Sequence, residues 1–292
     1  MSEMNRREFL AGAMAGGATR EGAPLLAIAH SGNPQAARRL TRAAVGALGG
    51  MSRFVSRGNV VFVKPNISWD RLPEHAACSN PDVVAAVVEM CFEAGARKVL
   101  VSDNPCVTAE RSFARSGIRQ AAEKAGAQCF FMNERKFRRM PIKGARVLKQ
   151  WEVYPDVLQA DRIVNVAIVK QHSLCRAALG MKNLMGVFGG ARNRFHQDIG
   201  NAVADIAGFI RPQLVVLDAV RVLTANGPTG GNPADVKRKD TVAAGVDQVA
   251  VDAFGAGLLG LRPSDVSYVA EAHARGLGTM DYQSLAPVRV EI

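Results

Sequence analysis

The chain has 292 residues, of which 48% are hydrophobic, with 37 Lys and Arg against 26 Asp and Glu. This apolar share is too high for a disordered chain, and no uncharged apolar run reaches the roughly 18 residues of a membrane-spanning helix. The five cysteines contain no C-x-x-C pair, so no ferredoxin-type iron–sulfur motif is present and buried thiols are expected. A globular chain long enough to bury a large core remains.

The formal net charge is +11, and its densest source is residues 135–149, which hold seven Lys and Arg and no acid. Residues 237–239 form a second basic run. No helix-turn-helix, zinc-finger or RNA-binding aromatic signature accompanies this charge, so we expect no nucleic-acid partner. The basic residues then form either a solvated face or a surface for a small anionic ligand.

Residues 1–24 resemble a twin-arginine export leader. The segment Asn5-Arg6-Arg7-Glu8-Phe9-Leu10 has the paired arginines, and a weakly apolar Ala and Gly run follows it. This run ends at Arg20, and a strand-like segment begins at Leu25, so the leader is shortened. We expect export to the periplasm by the twin-arginine machinery, with a cytoplasmic protein that has an ordinary basic N-terminus as the alternative.

From residue 25 onward, short apolar runs alternate with amphipathic stretches, which indicates strand–helix units. In chain order we predict strand 25–29, helix 34–48, strand 60–64, a helix from Pro81 to Gly95, strand 98–102, helix 109–124, strand 127–132, a small β excursion over 141–154, strand 162–168, a Gly- and Asn-rich loop over 180–190, helix 198–210, strand 213–217, loop 218–231, strand 241–245, helix 249–259, and a last helix from Pro263 to before Gly276. No linker divides residues 25–292, so the prediction is a single α/β domain. Its mainly parallel sheet has helices on both faces and is Rossmann-like.

Polar side chains follow several of these strands. Lys64 and Asn66 follow the second strand, Asp103 the third, Lys170 and His172 the fifth, and Asp218 and Arg221 the sixth. In open α/β sheets, ligands bind outside the carboxyl ends of the strands, so these residues are expected to converge at one edge. Asp247 and Asp252 flank the start of helix 249–259, where both are expected to cap the helix.

Five motifs in this order resemble the domain of unknown function 362 family. They are Val63-Lys64-Pro65-Asn66, Ser79-Asn80-Pro81-Asp82, Lys170-x-His172, Lys182-Asn183-x-x-Gly186, and Asp218-Ala219-x-Arg221 with Asn226-Gly227-Pro228. The similarity runs from about Leu25 to Asp281. The resemblance implies no settled reaction.

A second resemblance bears more directly on chemistry. Nickel-dependent lactate racemases have a His, then ten residues later the Lys that holds their pincer cofactor, then a nickel-ligating His. His172 and Lys182 have the same spacing here, and His196 follows Lys182 by fourteen residues. The second spacing differs from that of the racemases, and the glycine-rich run before their Lys is reduced to Gly180.

We therefore expect a cofactor- or metal-dependent enzyme, racemase-like or redox, that acts on a small anionic metabolite. The expected catalytic residues are His172, Lys182 and Asp103, with His196 as the metal ligand. The residues expected to bind the substrate are Lys64, Asn66, Lys170, Asn183, Arg194, Asp218 and Arg221. The identity of the cofactor or metal does not follow from the sequence.

Several alternatives stay open at this point. His172 is also explained as a structural hydrogen bonder after a strand, and His196 as a surface or capping residue. Lys182 is either a charge that holds a phosphate or carboxylate, a covalent attachment point, or an ordinary surface lysine. The rival for the whole protein is a non-catalytic protein that binds an anion or cofactor with the same residues.

Overall fold

The computed structural model describes residues 22–292, which form a nine-stranded sheet and a separate two-stranded hairpin. The strands are β1 (Leu26–His30), β2 (Val60–Pro65), β3 (Lys98–Val101), β4 (Gln128–Cys129), β5 (Arg138–Pro141), β6 (Gln150–Val153), β7 (Arg162–His172), β8 (Arg176–Ala178), β9 (Leu214–Leu223), β10 (Val236–Gly245) and β11 (Val288–Glu291). Residues 1–21, which carry the expected twin-arginine motif, lie outside this range.

The order across the sheet is β11-β1-β10-β9-β7-β2-β3-β4, with β8 paired to β7 and β5 to β6 in the hairpin. Neighbours from β9 through β4 are parallel, whereas β10 is antiparallel to both β9 and β1. The predicted mainly parallel sheet is confirmed, and the β5–β6 hairpin is the predicted small excursion. The carboxyl ends of β2, β3, β7 and β9 consequently share one edge.

The helices are α1 (Ala37–Ala47), α2 (Pro81–Glu93), α3 (Ala109–Arg115), α4 (Ile118–Lys124), α5 (Pro155–Gln159), α6 (Gly180–Asn183), α7 (Ile199–Phe209), α8 (Gln248–Leu258) and α9 (Ser267–Ala274). Alternate strand residues face opposite sides, so Phe62 packs in one core while Val61 and Val63 pack in the other. Helices α1 to α4 cover the Val61 face, and α5 to α9 cover the Phe62 face. None of the helices within residues 22–292 combines the length and apolar character needed to cross a membrane.

Several predicted boundaries were wrong. The strand predicted over 127–132 is only Gln128–Cys129, the strand predicted over 241–245 begins at Val236, and residues 180–183 of the predicted loop form helix α6. Helix 109–124 is two helices, because Gly117 adopts a left-handed conformation with φ 70° between them. The fifth strand extends to His172, and residues 218–223, predicted as loop, continue strand β9. The buried polar residues in these strands interrupt the apolar pattern from which strands are recognised. Lys170 and Asp218 therefore lie within strands, not after them.

Candidate functional site

The carboxyl end of β2 carries a buried ion pair with the loop after β3. Lys64 Nζ lies 2.8 Å from Asp103 Oδ1, and both side chains are 1% exposed. Burial lowers the pKa of Lys64, and the charge of Asp103 opposes that shift. Asp103 also accepts hydrogen bonds from the backbone N–H groups of Ile67 at 2.6 Å and Asn104 at 2.9 Å. Its oxygens are thus occupied by Lys64 and by backbone N–H groups, and none of these hydrogen bonds reaches His172.

Two amide side chains connect this ion pair to a second buried lysine. Asn183 Oδ1 accepts hydrogen bonds from Lys64 Nζ at 2.9 Å and from Asn66 Nδ2 at 3.0 Å. Asn66 Oδ1 in turn accepts one from Lys170 Nζ at 3.1 Å. The chain Lys64–Asn183–Asn66–Lys170 therefore joins β2, β7 and α6 through side chains alone.

Lys170 is buried without an acidic partner among the described residues. Its ammonium donates to Asn66 Oδ1 and, at 2.6 Å, to the carbonyl of Ala77. Burial, with a smaller contribution from the nearby charge of Lys182, lowers its pKa to about 8. A buried ammonium held only by neutral oxygens leaves an uncompensated positive field at this edge of the sheet.

Helix α6, which carries Lys182 and Asn183, is held at its N-terminus by Asp252. The two carboxylate oxygens of Asp252 accept hydrogen bonds from Gly180 N at 2.7 Å and Met181 N at 2.9 Å. The expectation that Asp252 caps its own helix was wrong, because the residue lies in the buried interior of α8 and reaches another element. Asp247 does cap α8, by accepting from Val249 N and Ala250 N.

Lys182 is half-buried, and its amine has no hydrogen-bond or ion-pair partner within residues 22–292. Burial lowers its pKa, while the thiols of Cys175 and Cys106 oppose the shift and Arg192 adds to it. An amine with a lowered pKa is more often neutral, and a neutral amine is a nucleophile and a proton acceptor. Lys182 is therefore chemically available, unlike Lys64 and Lys170.

Beside Lys182, the ring of His172 stacks on that of His196, with centroids 5.6 Å apart and planes 20° apart. His172 Nδ1 accepts a hydrogen bond from Leu174 N at 3.2 Å, which assigns the ring proton to Nε2. His196 Nδ1 lies 3.3 Å from the carbonyl of Asn193, which assigns its proton to Nδ1. The two rings thus present opposite atoms at Nε2, a donor on His172 and a lone pair on His196.

Both imidazoles are neutral near pH 7. Burial lowers the pKa of His172 to about 3, with further contributions from the charge of Lys182, His196 and Lys170. Burial and Lys182 also lower the pKa of His196. His196 Nε2 is buried and has no partner among the described residues.

The 3-10 segment Arg192–Asp198 that carries His196 is fixed from two sides. The guanidinium of Arg192 donates to the carbonyls of Asn104 and Pro105, each at 2.8 Å, which ties it to the loop after β3. On the other side, the ring of Phe195 packs on Trp151 of strand β6 at 4.7 Å.

The remaining residues expected to bind substrate have other surroundings and other hydrogen-bond partners. Asp218 accepts from Asn80 N at 2.7 Å and Val220 N at 3.0 Å, and burial raises its pKa to about 6. Arg221 is half-buried on β9 opposite Arg238 of β10. Arg194 is exposed, and its side chain makes no hydrogen bond or ion pair within residues 22–292. Within residues 22–292, these three make no hydrogen bond or ion pair with the lysine and amide chain.

The donor set for a metal is sparse. No three His, Cys, Asp or Glu side chains in the part of the chain that the structure describes converge as metal ligands. His196 Nε2 has the free lone pair of a single nitrogen ligand, and Lys182 has a free amine beside it. A cofactor that brings its own metal ligands fits these residues, whereas a bare ion held by side chains alone does not.

The sequence model for the domain of unknown function, DUF362, matches residues 61–257 of this chain. The chain belongs to the DUF362 family. The matched range contains every expected site residue, from Lys64 to Arg221.

Among curated relatives of this DUF362 protein, the thylakoid-associated protein sll1697 of Synechocystis sp. is 28% identical over 251 residues, which cover 79% of this chain and 72% of that one. Among solved structures, the lactate racemase apoprotein of Thermoanaerobacterium thermosaccharolyticum aligns with 82% of this chain and 58% of its own, at TM-score 0.47 and 11% identity. A protein of Thermotoga maritima aligns with 73% and 54%, at TM-score 0.34 and 14% identity. Both structural likenesses are too distant to carry an argument about function.

Asn165 and Arg192 of this DUF362 site escaped the sequence reasoning, and Gly186 and Asp252 were named without the role they have here. Asn165 bonds Asn183 and Gly180 from inside β7, at a position that reads as one polar interruption of an apolar strand. A Cβ on Gly186 would overlap Asp103 Oδ1, so the absence of a side chain at this glycine leaves space for the Lys64–Asp103 ion pair. The signal for Gly186 was present in the Lys182-Asn183-x-x-Gly186 motif, whereas the partners of Arg192 and Asp252 are distant in sequence.

Proposed function

We propose that this protein is an enzyme that acts on a small anionic metabolite and holds a cofactor, with or without a metal, at Lys182 and His196. The observation that carries the proposal is the amine of Lys182, which has no partner among the described residues and lies beside two neutral imidazoles of opposite tautomer. The spacing of His172, Lys182 and His196 resembles that of the nickel-dependent lactate racemases in its first interval.

The charges of the site support an anionic ligand. The charge of Arg192 lowers the pKa of Lys64 and Lys182, and the charge of Lys182 lowers that of Lys170. Asp103 is the acid paired within this group. The excess of positive charge sits in a poorly solvated region, where electrostatic attraction is screened less than at the surface. A carboxylate or phosphate would balance it.

The tautomers assign different parts to the two imidazoles. His172 presents an N–H at Nε2, which suits hydrogen bonding to the ligand or proton donation as a general acid. His196 presents the lone pair of Nε2, which suits one metal ligand or a general base. A cofactor held there would supply an electron-accepting centre next to the substrate. Two reaction types would then be open. A racemase-like reaction would remove a proton from the carbon beside the substrate carboxylate and return it, whereas a redox reaction would transfer electrons from the substrate to the cofactor.

The first experiment is elemental analysis with intact-mass spectrometry on protein purified from its native host, where the cofactor is made. We expect added mass that maps to Lys182 or a stoichiometric metal, and its loss in Lys182→Arg. The matched control is Lys143→Arg, an exposed lysine of the β5–β6 hairpin region. If the chain is unmodified and metal-free but still binds anions, the result would favour the alternative, a non-catalytic anion-binding protein.

We also propose that residues 1–24 act as a twin-arginine leader and that the protein functions in the periplasm. The support is the pair Arg6-Arg7 with the Ala and Gly run after it. The test is fractionation of cells that express the full chain or Arg6→Lys/Arg7→Lys. Loss of the periplasmic fraction in the double variant is expected, and equal cytoplasmic retention of both chains would place the protein in the cytoplasm.

A further inference from the structure

A cleft of about 310 Å³ opens beside His172, at the turn that joins β7 to β8. Its polar wall is made by Gln171, His172, Ser173 and Arg176, and its apolar wall by Leu259 and Leu261. None of these residues belongs to the Lys64–Asn183–Asn66–Lys170 chain, and only His172 was described above beside Lys182. The volume is that of a site for a small molecule.

The polar wall offers hydrogen-bond donors. Gln171 Oε1 accepts from Gly227 N at 2.7 Å, which leaves the Gln171 amide N–H groups without a partner in the described part of the chain. The hydroxyl of Ser173 likewise has no partner there. Arg176 is paired with Asp265 at 3.5 Å, and 55% of its side chain is exposed. His172 is the fourth polar residue of this wall.

The loop after β9 holds this wall in place. Ser173 N donates to the carbonyl of Gly227 at 3.2 Å, so Gly227 contacts the turn through both its N–H and its carbonyl. A Cβ on Gly227 would overlap the carbonyl of Gln171, so only glycine permits this approach. The donors of Gln171 and Ser173 are thereby fixed relative to His172.

The apolar wall comes from the end of α8. Leu261 N donates to Ala256 O at 3.0 Å across a turn at Gly260, which has φ 72°. This turn places both leucines at the cleft, where each is half-buried. An apolar ligand group of a few carbons would complete their burial.

We propose that this cleft binds a small monocarboxylate with a short aliphatic chain, with Arg176 and Ser173 holding the carboxylate and Leu259 and Leu261 packing on the chain. This inference rests on the proposed function, of which it names the substrate class. A single guanidinium already paired with Asp265 suits one negative charge, whereas the acid would repel a phosphate dianion. Arg176 is the Cα partner of His172 across the β7–β8 pair, so a carboxylate held by Arg176 lies next to the imidazole.

The test is isothermal titration calorimetry on the full chain from its native host, with acetate, butanoate and inorganic phosphate as probes. We expect butanoate to bind roughly tenfold more tightly than acetate, because each buried methylene contributes about 0.8 kcal/mol. We expect Leu261→Ala to reduce that preference and Arg176→Gln to weaken butanoate binding at least tenfold. Asp265 keeps a partner in the Arg176 variant, because Arg262 also pairs with it at 2.9 Å.

Arg97→Gln, an exposed arginine at the start of β3, is the matched control and is expected to bind butanoate as the wild type does. Tighter binding of phosphate than of butanoate, no binding of any probe, or full butanoate binding by Arg176→Gln would each overturn the cleft assignment. Lys182→Met separates the two proposals. If anion binding is lost in Lys182→Met but kept in Arg176→Gln, the proposed function stands and the cleft is not the binding site. If butanoate binding depends on Arg176 in a chain that carries no cofactor, the cleft assignment stands and the proposed cofactor-dependent enzyme is excluded.

Discussion

The rings of His172 and His196 are stacked with 5.6 Å between centroids, and their ring nitrogens are bonded to backbone groups of opposite kind. An N–H from Leu174 fixes one tautomer and a carbonyl from Asn193 fixes the other. The pair therefore combines one proton donor and one proton acceptor near the free amine of Lys182, whose charge lowers the pKa of both rings. Backbone hydrogen bonds set this asymmetry.

Nitrogen-15 NMR of the histidine rings tests this assignment. We expect His172 to carry its proton on Nε2 and His196 on Nδ1 at pH 7, with no ionisation of His172 between pH 5 and 8, because burial lowers its pKa to about 3. Lys182→Met removes a positive charge and should raise the pKa of both rings. The exposed control Lys143→Met should leave them unchanged. Identical tautomers on the two rings would contradict the donor and acceptor roles.

Gly186→Ala tests the space around the buried ion pair. The new Cβ would overlap Asp103 Oδ1 and crowd Lys64 Nζ, at 2.7 Å, so one of these buried groups must move. Because a broken buried ion pair leaves an uncompensated charge, we expect a loss of about 3 kcal/mol or more in the free energy of unfolding, measured by urea denaturation.

The matched control for that variant is Gly257→Ala, in helix α8. A Cβ there meets nothing within 4 Å, and alanine favours helix, so a gain of about 0.5–1 kcal/mol is expected. Equal stability of Gly186→Ala and the wild type would mean that the Lys64–Asp103 pair tolerates a methyl group at residue 186.

The sequence was sufficient for the fold class because its apolar runs and helix caps are local signals. Asn80, for example, caps α2 by accepting from Asp82 N, next to Pro81 in the first turn. The hairpin of β5 and β6 was also predicted, because residues 141–154 interrupt the alternation of strands and helices. The last strand, β11, was missed because Val288–Glu291 is short and half-exposed, so its pattern is weak.

The site was less accessible to sequence reasoning because its partners are far apart along the chain. Lys64 meets Asn183 across 119 residues, and Asp252 meets Gly180 across 72. The polar residues that follow or interrupt strands indicated the correct edge of the sheet, but not which of them bond to one another. Asp218 and Lys170 were placed after strands because a buried charge inside a strand breaks the pattern that defines it.

Lys170→Met should change how stability depends on pH. The pKa of Lys170 is lowered from 10.5 to about 8 in the folded protein, so the folded lysine is neutral between those values while the unfolded one is charged. The contribution of this group to stability is therefore present above pH 10.5 and lost as pH falls through 8. Relative to Lys170→Met, the wild type should gain stability as pH rises from 8 to 10.5. Parallel curves of unfolding free energy against pH would contradict the lowered pKa.

Asp252→Asn should affect both stability and Lys182. The Asn amide turns an N–H group toward Gly180 N or Met181 N, and one unsatisfied buried donor costs about 1–3 kcal/mol. Burial raises the pKa of Asp252 from 3.8 to about 7, so between these values the folded protein holds a proton that the unfolded chain lacks. Its contribution to stability is thus full below pH 3.8 and lost as pH rises through 7.

The stability difference between wild type and Asp252→Asn should therefore shrink from pH 4 to pH 8. Because Asp252 anchors α6, the same variant should change the rate at which an amine-reactive probe modifies Lys182, followed by peptide mass spectrometry. Asp247→Asn is the matched control, since Asp247 also accepts backbone N–H groups, at Val249 and Ala250, but on α8 rather than α6. It should lower stability without altering the labelling of Lys182. Equal labelling in wild type and Asp252→Asn would show that α6 keeps its position without this carboxylate.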